Sequence, residues 1–173
     1  MVFFKFVDWL FEKIVAPIVV IIGLFVALAF VVGIIARSFL GISLFGVEEL
    51  ILMAVVWFYM LGAILASKDS AHLRADFVSV MVNSERVEVM FQILATLISI
   101  AMAGLFMSWS YDLFQWALRR GSSTPIFSIP VYISQVSLFV AATFMMLYLI
   151  RDLVRDIQTL VSTKKNNRTP VSR

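Results

Sequence analysis

The feature that most constrains this chain is a set of four long stretches without a formal charge: Ile14–Ile35, Leu50–Ser67, Val89–Tyr111 and Gly121–Ile150. A bilayer core of ~30 Å is crossed by about 20 apolar residues, each rising 1.5 Å along a helix. All four stretches meet that length. Hydrocarbon offers no hydrogen bonds to the backbone, so segments of this kind satisfy their own amides as helices. Pro130 marks where the last helix begins. Composition agrees: 62% of residues are hydrophobic, 14% are charged, and mean hydropathy is +1.00, whereas a soluble domain carries about 25% charge. The reading is an all-α integral membrane protein with four transmembrane helices. The spans are about 14–36, 48–67, 87–116 and 130–150, within a single membrane domain over 1–161. A basic tail, 162–173, is expected to be disordered.

Lysine and arginine set the orientation. Lys5 and Lys13 precede the first span. Lys68, Arg74 and Arg86 lie between the second and third. Arg151, Arg155, Lys164, Lys165, Arg168 and Arg173 follow the fourth. The other two connections hold only Arg37, Arg119 and Arg120. The positive-inside rule then places both termini in the cytoplasm. Two segments flank the spans as amphipathic helices expected to lie in the interface. In residues 1–13, Lys5, Asp8 and Glu12 share one face, with Trp9 at headgroup level. In residues 69–83, the polar stripe is Asp69, His72, Asp76, Ser79 and Asn83.

Most chemistries lack their parts. Cysteine is absent and there is a single histidine, so neither a thiolate nor a histidine-rich metal site is available. No phosphate-binding loop is present. The net charge of +3 gives no reason to expect nucleic acid as a partner. A path for substrate or ions would need polar groups inside the spans, and the first and last spans offer little beyond Gln135 and Thr143. The chain is therefore read as no enzyme, with no cofactor of its own, and as unable to transport alone.

What remains are groups at the membrane edges. Arg37, Glu48 and Glu49 fall at one level, where an Arg–Glu pair would fix the corner between the first two helices or meet a partner. The two acids also complement the positive end of the second helix. Gly62 and Ala66 form a small-xxx-small pair that lets a helix approach closely, in this chain or another. His72 and Asp76, four residues apart, read either as a solvated polar face or as part of a contact. Ser108, Asp112, Gln115 and Arg119 form a stripe near the far end of the third helix, either a docking face or the wet end of a long helix.

The order Arg37, Glu48-Glu49, Trp57, Leu61-Gly62-Ala63, Ala66, His72 and Asp76 resembles the small membrane subunit of tripartite ATP-independent periplasmic (TRAP) transporters, the DctQ type. The resemblance covers nearly the whole chain, and its specific part is the block from Glu48 to Asp76. It implies a bacterial inner-membrane complex in which a periplasmic substrate-binding protein delivers an organic acid to a large polytopic subunit. That subunit would carry the acid across on a sodium gradient and hold the sodium itself. The small subunit would be a non-catalytic scaffold bedded in membrane lipid, and all the edge residues named above, Trp57 included, become interface candidates. The substrate stays open between acidic sugars such as sialic acid and C4-dicarboxylates. A free-standing tetraspan assembly factor or sensor is the alternative.

Overall fold

The computed structural model describes residues 7–39, 41–42, 46–81 and 85–166, with side chains for all of these except 69–81, 85–86 and 162–166. It consists of four helices: α1 (Val7–Phe39), α2 (Val47–Met81), α3 (Glu85–Arg120) and α4 (Tyr132–Asn166). Each contains a stretch long and apolar enough to cross a membrane. Each also exceeds the roughly 20 residues that a bilayer core needs, so all four tilt or project beyond it.

Two of the helices continue where the sequence suggested a break. The segment expected as a separate interfacial helix at 1–13 is, over its described residues, the first turns of α1. Pro17 has no N–H to donate to the carbonyl four residues back. The backbone meets this with a π-turn over Phe11–Val15, in which the Ala16 N–H bonds the Phe11 carbonyl. The wider turn carries the helix past the proline instead of starting a new one there. Likewise α2 runs through Lys68 to Met81 without interruption. No proline or glycine falls between Ala63 and Met81, and the alanines, leucines, lysine and arginine there are good helix formers. The 69–83 segment thus begins as a continuation of the second span, with 82–83 outside the described residues. α4 likewise stays helical to Asn166, into the stretch expected to be disordered, while 167–173 lie outside the described residues.

α4 is the centre of the bundle. It packs along α3 on one side and α2 on the other, and α1 lies against α2. The α3–α4 register is set by Thr96 opposite Asp156, Gly104 opposite Met146 and Tyr111 opposite Phe139. Ala141 and Ala142 are fully buried in α4, and their small side chains let both neighbours come close. A compact cluster of Phe11, Ile64, Ala141 and Tyr148 joins three helices near the start of α1. Phe11 meets Phe144 edge-on at 5.0 Å, an arrangement favoured by the ring quadrupoles. α1 is otherwise peripheral. Its most apolar window has no buried residue, and close approach to α2 occurs where Gly23 receives Phe58, whose ring carbon would lie 2.9 Å from a Cβ there.

Candidate functional site

Because the helices alternate in direction, the polar groups collect at the two ends of the bundle. At one end are the start of α1, the region of Lys68 in α2 and the region of Arg151 in α4. At the other are Arg37, the start of α2 and the loop 121–131 between α3 and α4.

At the Lys68 end, Arg151 is the hub. Its guanidinium reaches Asp152 Oδ1 at 3.0 and 3.1 Å, the Lys68 carbonyl at 2.9 Å and Asp8 Oδ1 at 3.6 Å. It also lies over the Tyr148 ring, 4.8 Å from the centroid. Asp152 is only 1% exposed. Lys68 pairs with Glu12, and the Thr96 hydroxyl donates to Asp156. Asp8 and Glu12, one helical turn apart, thus fasten the beginning of α1 to α4 and α2. The planar five-donor fork of arginine suits such a shared position, which the point charge of lysine would not fill.

At the Glu49 end the two adjacent acids do separate jobs. Glu48 Oε1 accepts from Arg37 Nη2 at 2.9 Å, which ties the end of α1 to the start of α2. The Glu49 carboxylate turns the other way and accepts the backbone N–H groups of Ile126 and Phe127 at 2.8 and 3.1 Å. The loop that offers those amides is itself ordered by Thr124. Its backbone N–H donates to Ile129, its carbonyl accepts from Ser128, and its hydroxyl accepts the Ile129 N–H. Gly46 lies beneath, with φ +95°, and a Cβ there would fall 2.5 Å from the Phe127 ring. Only glycine meets both the left-handed backbone and the aromatic neighbour.

The remaining candidates are more scattered. Trp57 is half-buried. A Cβ on Gly62 would meet nothing within 4 Å and Ala66 is exposed, so this small-residue pair is not spent on packing within the described chain. His72 and Asp76 lie in the α2 extension, where side chains are outside the described part. On α3, Arg119 donates to Gln115 Oε1 at 3.5 Å and Gln115 donates to the Tyr111 hydroxyl at 2.8 Å. That ladder runs along one exposed face, with Ser108 and Asp112 also exposed. Arg120 lies over Trp116 at 5.1 Å.

Sequence reasoning put Arg37 level with the two acids without choosing between them, and the structure pairs it with Glu48; the Arg151 hub and the Glu49 clasp were missed. For the hub a signal existed: Arg151-Asp152 and Arg155-Asp156 repeat mixed charge straight after an uncharged run, and Asp8 and Glu12 repeat at the same spacing. For the clasp none existed, since its donors are backbone amides.

Within the spans, Thr96 reaches across to Asp156 of α4, while four other hydroxyls are turned on their own helices. Ser99, Ser110, Ser137 and Thr143 donate to the carbonyls of Ala95, Phe106, Ser134 and Phe139. Comparison with curated proteins gives no match. The family described as "Tripartite ATP-independent periplasmic transporters, DctQ component" matches residues 26–159, a stretch that takes in both the Glu48–Glu49 corner and the Arg151 hub. With more than half of its length matched across all four helices, the chain belongs to the DctQ family, the small membrane component of TRAP transporters.

Proposed function

We propose that this subunit is the non-catalytic scaffold of its transporter. It would hold the large permease subunit in the inner membrane for sodium-driven uptake of an organic acid, an acidic sugar or a C4-dicarboxylate, brought by a periplasmic binding protein. The observation that carries this reading is the fate of the mid-span hydroxyls. Ser99, Ser110, Ser137 and Thr143 are bonded to their own helix carbonyls and Thr96 is taken up by Asp156 of α4, while the charged groups sit at the two ends, an arrangement suited to holding shape rather than to lining a path. Both termini are cytoplasmic in this proposal, from the excess of lysine and arginine on that side. The Arg151 hub then faces the cytoplasm. The Glu49 clasp and the Tyr111–Gln115–Arg119 ladder face the periplasm, where the binding protein arrives. Sodium belongs to the large subunit.

The test is affinity purification of the tagged chain from native bacterial membranes, with mass spectrometry of what accompanies it. Stoichiometric recovery of a large polytopic protein, and sodium-dependent uptake by the reconstituted pair, is the expected result. A chain that purifies alone, stable and monodisperse in several mild detergents, would replace this reading with that of a free-standing tetraspan protein.

A further inference from the structure

At the Glu49 end, α1 and α2 part and leave a groove of about 320 Å³. It is lined by buried Ile51, half-buried Gly33, and Phe30 and Ile34, with exposed Arg37 and Glu48 at its rim. Glycine inside a helix costs stability relative to alanine. Gly23 has a reason to be glycine, since Phe58 presses against it. Gly33 has no such neighbour among the described residues, because a Cβ there would meet nothing within 4 Å. Its effect is to deepen the groove one turn from Arg37, on the side toward the middle of the membrane.

The rim has a chemistry of its own. Arg37 and Glu48 hold each other at 2.9 Å, yet their side chains are 70% and 77% exposed. Among the described residues, a cation and an anion are thus fixed side by side at the membrane edge, with most of each side chain open to a further partner. Guanidinium donates to phosphate oxygens in a forked arrangement. Carboxylate accepts from a primary ammonium. A headgroup carrying both a phosphate and an –NH₃⁺ matches this pair in sign and in donor type. A choline headgroup has no N–H to donate, and a glycerol headgroup brings its negative charge to Glu48 without a cation. From Arg37 the groove runs along α1 as far as Ala29, about 12 Å at helical rise, the direction that an acyl chain takes below its headgroup.

We propose that this groove is a binding site for one phospholipid of the ethanolamine type, with its phosphate on Arg37, its ammonium on Glu48 and one acyl chain laid over Gly33. The site goes beyond the scaffold role and does not depend on it.

The test uses the full chain in nanodiscs made from equal parts of phosphatidylethanolamine, phosphatidylglycerol and phosphatidylcholine, with native mass spectrometry of the lipid that stays bound on release. The wild-type chain is expected to retain one phospholipid, enriched about tenfold in the ethanolamine form, the effect of one good polar contact. Glu48→Gln keeps the bound lipid but removes the headgroup preference. Gly33→Leu, whose side chain has room, abolishes retention, whereas Ile21→Leu on the exposed face outside the groove leaves it unchanged. If Gly33→Leu fails to fold, Glu48→Gln at its exposed position still decides. Bound lipid matching the bilayer composition in the wild type, retention by Gly33→Leu, or a Gly33→Cys that cross-links only to another polypeptide would each overturn the proposal.

Discussion

At the Lys68 end the helices are joined through two cations, Arg151 and Lys68, whose side chains are almost wholly enclosed; at the Glu49 end α1 and α2 are joined through Arg37 and Glu48, which stand largely in the open. Arg151 and Asp152 sit 13% and 1% exposed as side chains, whereas Arg37 and Glu48 are 70% and 77% exposed. The difference is one of what each bond must resist. An enclosed ion pair has already lost its water, so removing one member strands the other. An exposed pair exchanges its partner for solvent at little cost. The Lys68 end is therefore where the bundle is made rigid. The Glu49 end is where position is set by geometry, with a carboxylate choosing two particular backbone amides of a loop.

This contrast can be broken first at its strong side. Arg151→Leu leaves Asp152 buried without its arginine and is expected to cost about 3–5 kcal/mol, read as a large drop in thermal stability in detergent. Arg151→Leu combined with Asp152→Leu should recover much of that loss, and a double variant as unstable as the single one would show that the hub is held by something other than charge balance. Next comes Gly46→Val, which meets both the positive φ and the Phe127 ring. Backbone strain of that kind costs on the order of 1–3 kcal/mol, and the loss should be concentrated in faster hydrogen exchange across the 121–131 loop. Glu49→Gln removes one of two carboxylate acceptors and turns the other into a weaker amide, so exchange at Ile126 and Phe127 should speed up with little change in global stability. Equal effects of Glu48→Gln on those two amides would erase the division of labour between the acids. Smallest of all, a double-mutant cycle on Arg37 and Glu48 should give a coupling no larger than about 1 kcal/mol. A larger value would mean that the corner between α1 and α2, too, is structural.

Much of the architecture was readable because hydrophobicity is additive along a chain. Four uncharged runs of sufficient length leave four helices as the way to satisfy the backbone in lipid, and the described residues form four long enough to cross. The ends were harder. Whether a helix stops after Ser67 depends on the backbone rather than on hydropathy, and nothing between Ala63 and Met81 breaks it, so α2 continues into polar sequence. Proline suits the first turn of a helix, yet the structure absorbs Pro17 inside α1 with a π-turn over Phe11–Val15. At the candidate site, the approach of Arg37 to one of the two acids was legible because a short loop joins their helices and opposite charges at one depth find each other, but which acid it takes was not. Arg151 was not, because its partners are Asp8, far off in sequence, and a carbonyl of α2.

The amino-acid sequence by itself determined the class of protein, the number of crossings, the charge asymmetry and the family. These depend on sums and spacings along one chain, which three-dimensional packing does not alter. Only the tertiary structure decided that α4 is central and α1 peripheral, that Glu48 and Glu49 point to different partners, and that Gly23 is filled by Phe58 while Gly33 lines an open groove. These outcomes depend on which faces of four apolar helices meet. In a membrane the hydrophobic effect is nearly indifferent to that choice, because lipid is as apolar as leucine. Helix pairing is left to a few small residues, a few rings and the charges at the two ends, and these act only once the helices lie side by side.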